Sequence, residues 1–244
     1  MDFISGEIIA VDKPYGWTSF DAVKRLRGAI QKRLRVKKFK VGHAGTLDPL
    51  ATGVLIVCTG RATKKIEEIQ SGEKEYIATV KLGATTPSFD LETEIDSLYS
   101  WEHIDETAAK DALDSFKGII MQVPPLFSAV KVDGKRAYKY ARKGHDMELK
   151  AKPVKIREIE FLGLNGQELS FRVVCGKGTY IRALARDLGL KLGSGAHLIS
   201  LRRTRIGDIG INKCMSIDKA IETIAETELT FPENYNSDQS ITEI

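Results

Sequence analysis

Cysteine and histidine are scarce in this chain of 244 residues, which has 3 Cys and 4 His. The cysteines, Cys58, Cys175 and Cys214, are odd in number and far apart, which argues against a disulfide framework and against a C-x-x-C zinc site. No two histidines have the i,i+4 spacing of a helical metal site. We therefore expect no metal ion.

Long apolar runs are also missing. None approaches the roughly 18–20 residues that a membrane-spanning helix needs, and residues 1–5 lack the basic segment of a signal peptide. A P-loop and a dinucleotide-binding glycine motif are absent as well. We expect a cytoplasmic protein with no membrane partner.

Positive charge is concentrated in one segment, although the net charge of the chain is only +4. Between residues 24 and 40 there is no acid, and the basic side chains are Lys24, Arg25, Arg27, Lys32, Arg33, Arg35, Lys37, Lys38 and Lys40. Such a cluster suits nucleic acid, because each neutralised phosphate releases condensed counterions. The same run is also typical of a solvated helix face.

Hydrophobic periodicity predicts a mixture of helices and strands. Strands are predicted at Gly6–Val11, Val54–Thr59, Lys74–Leu82, Val154–Leu164, Glu168–Cys175 and His197–Ile206. Helices are predicted at Asp105–Phe116, Gly178–Leu188, Ile217 to about Ala225, and after Thr18, where Phe20, Val23, Leu26, Ile30 and Leu34 share one face. Without regular βα alternation, the fold class is α+β, with a mainly antiparallel mixed sheet flanked by helices and loops.

The length favours one large domain with an inserted lobe. We place that domain at residues 1–230 and the insertion at about 124–152, beginning at Pro124-Pro125. The acidic, polar composition of residues 231–244 predicts a disordered tail.

The most informative segment, Gly42–Gly53, lies directly before an apolar strand and carries both His43 and Asp48. Loops fixed to rigid strands often carry catalytic groups. Pro49 biases Asp48 towards an extended conformation, which would hold its carboxylate steady. A purely structural interpretation is also open, in which Asp48 closes an Asx turn and His43 only packs.

This segment resembles the catalytic loop of the bacterial tRNA pseudouridine-55 synthase family (TruB-type) and, more loosely, that of its guide-RNA-dependent relatives. Further segments resemble the family in the same order along the chain, roughly from residue 10 to residue 207: Asp12–Ser19, Glu75-Tyr76, Val123–Lys131, Gly134–Tyr138, Gly178–Arg182 and Leu201–Thr204. The resemblance implies a pseudouridine-synthase-like fold in which the insertion forms a thumb.

The implied activity is isomerisation of the T-loop uridine of tRNA to pseudouridine. The N1–C1′ bond breaks, the flipped base turns, and C5 joins C1′, so nothing is oxidised and no cofactor is required. Asp48 would supply the catalytic carboxylate, which could attack the base, attack C1′ or abstract a sugar proton. Arg182 would pair with it, and Tyr76 would stack on the base and assist removal of the C5 proton.

The resemblance also assigns residues to the RNA. The implied substrate-binding residues are His43, Gly42, Thr46, Tyr180, Leu201, Lys13, Lys131, Arg136, Arg202 and Arg203. The implied partner is the T stem-loop of tRNA, without a guide RNA, and a monomer is expected. Asp90 matches the family pattern, whereas Pro87 replaces an Asp found in many members. Many members carry a further C-terminal RNA-binding (PUA-like) domain; because this chain stops soon after Ile224 and its end is acidic, we expect a short form without that domain.

Two other functions remain open from the sequence. One is a non-catalytic RNA-binding or tRNA-folding protein. The other is an unrelated hydrolase with a His43–Asp48 pair, which would need a Ser or Cys nucleophile or a metal.

Overall fold

The structure is a computed structural model that describes residues 1–128, 131–132, 135–137, 140, 147 and 149–230. Most of the predicted inserted lobe beyond residue 128 and the whole predicted tail lie outside these residues. The predicted domain limits therefore stay a prediction.

Strands and helices are named here in chain order. The strands are β1 (Ile8–Lys13), β2 (Val41–His43), β3 (Ala51–Thr59), β4 (Lys74–Leu82), β5 (Ala84–Thr85), β6 (Ser97–Leu98), β7 (Gly118–Gln122), β8 (Lys131–Val132), β9 (Lys135–Arg136), β10 (Lys152–Asn165), β11 (Glu168–Cys175), β12 (Ala196–Ile206), β13 (Ile209–Gly210) and β14 (Met215–Ser216). The α-helices are α1 (Ser19–Leu34), α2 (Ile66–Ser71), α3 (Glu106–Asp114), α4 (Ile181–Lys191) and α5 (Ile217–Glu226). Short 3₁₀ helices cover Gly60–Lys65 and Ile211–Lys213.

The chain forms two compact units. The first contains Met1–Lys74 and the segment that starts at Arg202, and the second contains Glu75–Leu201. The polypeptide passes from one unit to the other at Lys74–Glu75 and at Leu201–Arg202, the latter within strand β12.

Strand β3 lies at the centre of the first unit. It pairs antiparallel with β1, from Ile8↔Cys58 to Lys13↔Gly53, and with β2, while β1 pairs parallel with β14. Leu55 and Val57 belong to one buried apolar cluster, and Val54, Ile56 and Cys58 belong to another. A strand covered on both faces needs an apolar side chain at nearly every position, which explains the unbroken apolar run in its sequence.

Helix α1 packs one face against that core. Thr18 and Asp21 form a capping box that starts the helix. Val23, Leu26 and Ile30 are buried, as the periodicity predicts. The prediction for Phe20 is wrong, because its side chain is 60% exposed. The neighbouring Ser19 takes the inward position in the first turn instead, where its side chain binds Leu47.

The second unit is built on strands β4, β11, β10 and β7, in that order. Strands β10 and β11 form the predicted antiparallel hairpin, and β7 pairs antiparallel with β10. Helix α4 begins three residues later than predicted, because Gly178 has φ +87° and Tyr180 is extended. The predicted α+β class and mainly antiparallel sheet are confirmed.

None of Cys58, Cys175 and Cys214 forms a disulfide, and both Cys58 and Cys175 are buried. Burial raises the pKa of the Cys58 thiol to about 11 and that of the half-buried Cys214 to about 11, since a thiolate is poorly solvated there. Of the described helices, none has the length and apolar character to cross a membrane.

Candidate active site

Asp48 is half-buried in the turn that joins β2 to β3. The Ala51 N–H donates to the Asp48 carbonyl oxygen at 3.1 Å, which closes the turn. Pro49 occupies the second position of this turn, and an Asp-Pro pair suits the first two positions of a type I turn. The local sequence therefore fixes the backbone on which the carboxylate is carried.

Lys13 holds this turn from one side. It is the last residue of β1, on the same face as Ile9 and Val11, and its side chain is 0% exposed. Its ammonium donates to the carbonyl oxygens of Pro14 at 2.9 Å and Pro49 at 3.3 Å, and also to that of Trp17. Burial lowers the Lys13 pKa to about 8, while the negative charge of Asp48 opposes this shift.

The segment that leads into α1 adds further anchors. The Leu47 N–H donates to Ser19 Oγ at 2.8 Å, and Ser19 Oγ donates to the Leu47 carbonyl oxygen at 3.1 Å. The Gly16 N–H donates to the Pro49 carbonyl oxygen at 2.9 Å. The residues directly before and after Asp48 are thus both hydrogen-bonded to a neighbouring part of the first unit.

Arg203 holds the loop from the other side. Its side chain is only 1% exposed, and its Nε donates to the Val54 carbonyl oxygen at 2.8 Å. The two terminal nitrogens donate to the carbonyl oxygens of Gly45 at 3.0 Å and Thr46 at 3.4 Å. Gly53 has φ +104°, and a Cβ there would lie 2.1 Å from the Arg203 carbonyl oxygen, so only glycine allows this approach.

His43 and Arg202 lie in the same unit. His43 ends β2 and is half-buried, and burial together with the charge of Arg203 lowers its pKa, which favours the neutral imidazole. Arg202 is on the opposite face of β12 from Arg203, with 41% of its side chain exposed. It pairs with Asp12 at 2.7 Å and donates to Thr52 Oγ1 at 3.3 Å.

Arg182, in the second unit, is also held at every nitrogen. It is the second residue of α4 and 4% exposed, and its Nε lies 3.5 Å from Asp90 Oδ2. The terminal nitrogens donate to the carbonyl oxygens of Ser88 at 3.2 Å and Phe127 at 2.9 Å. The Asp90 side chain is itself buried, next to Phe89, which adopts a left-handed φ of 62°. The loop that contains Ser88, Phe89 and Asp90 therefore orients the Arg182 guanidinium.

Gln122 fixes the start of α4. Its buried amide accepts from the Tyr180 N–H at 2.9 Å and donates to the Tyr180 carbonyl oxygen at 3.2 Å. Tyr180 precedes the helix as its N-terminal cap. Tyr76 on β4 and Leu201 on β12 are each 8% exposed.

The predicted site residues fall into two sets. The first unit contains Asp48, His43, Gly42, Thr46, Lys13, Arg202 and Arg203. The second unit contains Tyr76, Tyr180, Arg182 and Leu201. Lys131 and Arg136 face each other in the β8–β9 pair, and their side chains lie outside the described part of the structure.

The side chains of Lys13 and Arg203, for which RNA contacts are predicted, are buried, and their donors bind carbonyl groups of the chain itself. Their contacts with RNA stay a prediction. Sequence reasoning also missed the anchoring roles of Ser19 and Gln122. Period-two alternation was an available signal for the two cations, because Lys13 shares a strand face with Ile9 and Val11, and Arg203 shares one with Leu201.

Within the described residues, no cluster of three or more His, Cys, Asp and Glu side chains could hold a metal ion. The arrangement instead offers one carboxylate on a fixed loop and, in the second unit, a buried guanidinium and a buried tyrosine. Such groups suit nucleophilic or acid–base chemistry on a bound base.

Comparison with protein families gives two adjoining matches. Residues 31–181 match the TruB family pseudouridylate synthase (N terminal domain), and residues 182–233 match the tRNA pseudouridylate synthase B C-terminal domain.

Among known proteins, the chain is similar to enzymes named tRNA pseudouridine synthase B. The protein from Parabacteroides distasonis is 62% identical, with 88% of this chain and 92% of that one covered. The protein from Phocaeicola vulgatus is 59% identical, with 94% and 97% covered. The Mycobacterium leprae protein is 45% identical, with 88% and 68% covered.

The chain is also similar to proteins of known structure. The chain is similar to one in a Cbf5-Nop10-Gar1 complex, with 32% identity, a TM-score of 0.68, and 91% of this chain and 55% of that one covered. It is also similar to one in the archaeal box H/ACA sRNP Nop10-Cbf5 complex, with 28% identity, a TM-score of 0.63, and 89% and 53% covered. The chain thus spans about half the length of these structural relatives. On the family match and the relatives together, the chain belongs to the TruB family of pseudouridylate synthases and is a pseudouridine synthase.

Proposed function

We propose that this enzyme converts the T-loop uridine at position 55 of tRNA to pseudouridine, with Asp48 as its catalytic carboxylate. The observation that carries the proposal is the anchoring of the Asp48 loop, whose backbone is held by two buried cations, Lys13 and Arg203. A group held in one geometry before the substrate arrives needs little reorganisation during the reaction. The substrate assignment rests on the relatives named tRNA pseudouridine synthase B.

The reaction is an isomerisation in which the Asp48 carboxylate starts cleavage of the N1–C1′ bond. The detached base turns and C5 joins C1′. Tyr76 assists transfer of the C5 proton to solvent, and N1 takes up a proton, so that the product is an isomer of the substrate. We assign to Arg182 the role of pairing with this carboxylate.

The target base must be flipped out of its stack, which costs a few kcal/mol. Stacking on an aromatic side chain returns about 1–3 kcal/mol, and we assign this role to Tyr76. Tyr180 and Leu201 form the apolar walls of the base pocket. The neutral ring of His43 fills the space that the base leaves in the T loop, with Gly42 and Thr46 beside it.

Arg202 is suited to contact a phosphate, because 41% of its side chain is exposed. We assign Lys131 and Arg136 to the RNA as well, on the thumb segment. We infer further that the enzyme acts as a monomer and without a guide RNA, as a single polypeptide on the tRNA itself.

The decisive experiment measures tritium release from C5-tritiated uridine in an unmodified tRNA transcript. Wild type should release tritium, and Asp48→Asn should release none while binding tRNA with nearly unchanged affinity. Asp111→Asn, which changes an exposed carboxylate on α3, serves as the control and should behave as wild type. Release by Asp48→Asn would remove this carboxylate from the chemistry.

Two further experiments test the position of the target uridine and the proposal of a guide-free monomer. A transcript with cytidine at position 55 should give no release, and continued release would place the target elsewhere in the tRNA. Turnover by the purified chain alone, at the elution volume of a monomer, tests the guide-free and monomeric claims. If wild type binds tRNA but releases nothing, the non-catalytic RNA-binding or tRNA-folding alternative replaces the proposal.

A further inference from the structure

A basic groove runs along the outer face of α1, in the first unit. It encloses about 770 Å³. Its floor is formed partly by Trp17 and by Ile221 of α5, both half-buried at the edge of the apolar core. The residues that give it charge and shape are Lys24, Arg25, Gly28 and Lys32. They recur at the spacing of one helix face, so they line a continuous strip.

The cations of this groove are available to a ligand. Lys24, Arg25 and Lys32 are exposed, and no ion pair among the described residues involves any of them. The acid in the groove, Asp21, is engaged in the capping box, where its carboxylate accepts from the Thr18 N–H at 2.9 Å and from Thr18 Oγ1 at 2.6 Å. The groove therefore carries a net positive field towards solvent.

Gly28 explains how the groove stays open. Glycine destabilises a helix interior relative to alanine, so its presence there calls for a reason. Packing supplies none, because a Cβ at Gly28 would meet no atom within 4 Å. Gly28 is also exposed, between the flanking cations. The missing side chain leaves room for a ligand beside the helix.

The spacing of the charges suggests the ligand. Lys24 and Lys32 are eight residues apart, or about 12 Å along the helix axis. Cations at this separation suit two separate phosphates of one strand better than a single phosphate group. Trp17 adds an aromatic surface on which a base can stack.

One end of the groove reaches the Asp48 loop. Gly16, which lines the groove, donates its N–H to the Pro49 carbonyl oxygen, and Lys13 binds the carbonyl oxygens of both Trp17 and Pro49. A strand that enters at Asp48 can therefore continue over Gly16 and Trp17 onto α1.

We propose that this groove is an RNA-binding surface that holds the backbone of the tRNA substrate beyond the target nucleotide. Lys24, Arg25 and Lys32 bind phosphates there, and Trp17 stacks on a base. This inference rests on the proposed function, since it takes tRNA as the ligand. It assigns a role to the exposed Lys and Arg side chains of α1. Arg27 and Arg33 of the same helix instead donate to the carbonyl oxygens of Val41 and Thr227.

The charge test measures binding of an unmodified tRNA transcript over a range of salt concentrations. The double variant Lys24→Gln/Lys32→Gln should make the negative slope of log affinity against log salt shallower by about 1.5, because two phosphate contacts are lost. The double variant Lys64→Gln/Lys65→Gln removes the same charge from an exposed site outside the groove and should leave the slope unchanged. An equal decrease in both double variants would mean that only net charge matters, and the groove would then have no specific role.

The steric test fills the groove without changing charge. Gly28→Gln should weaken tRNA binding and raise KM by about fivefold or more through loss of stacking, with kcat little changed. Gly28→Ala should raise the melting temperature, which shows that the site tolerates a side chain. Ala225→Gln, on an exposed position of α5 outside the groove, is the matched control and should leave KM unchanged.

These outcomes separate the two proposals. If wild type binds the transcript but releases no tritium, the proposed function fails, and the salt slopes of Lys24→Gln/Lys32→Gln and of its control still decide the groove proposal. If wild type turns over normally and Gly28→Gln and Lys24→Gln/Lys32→Gln leave KM and the salt slope unchanged, only the groove proposal is overturned. That second result would indicate a protein ligand or none for this face.

Discussion

The Asp48 loop and the outer face of α1 both depend on Lys and Arg, but the two regions use positive charge in opposite ways. Around Asp48, the side chains of Lys13 and Arg203 are buried, and their donors bind backbone carbonyl oxygens. On α1, Lys24 and Lys32 are exposed. Burial, rather than residue type, decides whether a cation fixes the protein backbone or remains available to a phosphate.

Of the substitutions that test this comparison, Arg203→Met should have the largest effect on stability and on kcat. Three carbonyl oxygens would lose a charged donor, which should lower the free energy of unfolding by about 3 kcal/mol or more. Displacement of the Asp48 loop should also lower kcat by about 100-fold, with a smaller change in KM. Urea denaturation and steady-state kinetics on a tRNA transcript measure the two effects.

The adjacent arginine provides the control. Arg202→Met removes an ion pair with Asp12 from a side chain that is 41% exposed, so stability should change by less than about 1 kcal/mol. Where Arg203→Met does not fold, Arg203→Lys keeps the charge but loses the forked donors, and its kcat should still fall. Equal effects at the two positions would contradict the distinction between buried and exposed cations.

Lys13→Met should change how stability depends on pH. The pKa of Lys13 falls from 10.5 to about 8 in the folded chain, so between these values the unfolded chain binds more protons. The contribution of Lys13 to the free energy of unfolding should therefore rise as pH increases from about 8 to about 10.5, by at most about 3 kcal/mol.

The measurement compares urea denaturation of wild type and Lys13→Met at several pH values. The stability difference between them should grow in favour of wild type across this window and stay constant below it. A difference that is independent of pH would mean that Lys13 keeps an ordinary pKa.

The smallest effect on stability is expected at the exposed end of the basic segment. The triple variant Lys37→Gln/Lys38→Gln/Lys40→Gln should change the free energy of unfolding by no more than about 0.5 kcal/mol, because these side chains are exposed. It should make the negative slope of log tRNA affinity against log salt shallower by about 2. Lys64→Gln/Lys65→Gln serves as the control. An unchanged slope in the triple variant would mean that these three lysines are solvated and do not contact the RNA.

The sequence predicted much of the fold where a single periodicity governs a segment. The alternation of Lys74–Leu82 gave the bounds of β4, and Asn165-Gly166 located the β10–β11 turn. Prediction failed where long-range partners decide the outcome. Phe20 was expected on the packed face of α1 but is 60% exposed, because Ser19, which hydrogen-bonds to Leu47, takes the inward position in the first turn.

The site shows the same division. The Asp48 loop stood out from its glycines, its imidazole and its carboxylate, whereas the burial of Arg203 depends on its bonds to Gly45, Thr46 and Val54, about 150 residues away in sequence. Asp90 as an ion-pair partner of Arg182 requires the left-handed turn at Phe89, which no local propensity favours.

The placement of the three thiols has a practical consequence for biophysical work. Cys58 and Cys175 are buried, and the raised pKa of Cys58 and Cys214 lowers the fraction of reactive thiolate at neutral pH. A single cysteine introduced on an exposed face can therefore be labelled selectively, with every native cysteine retained. A fluorophore or spin label at such a position would report on RNA docking in the otherwise unaltered protein.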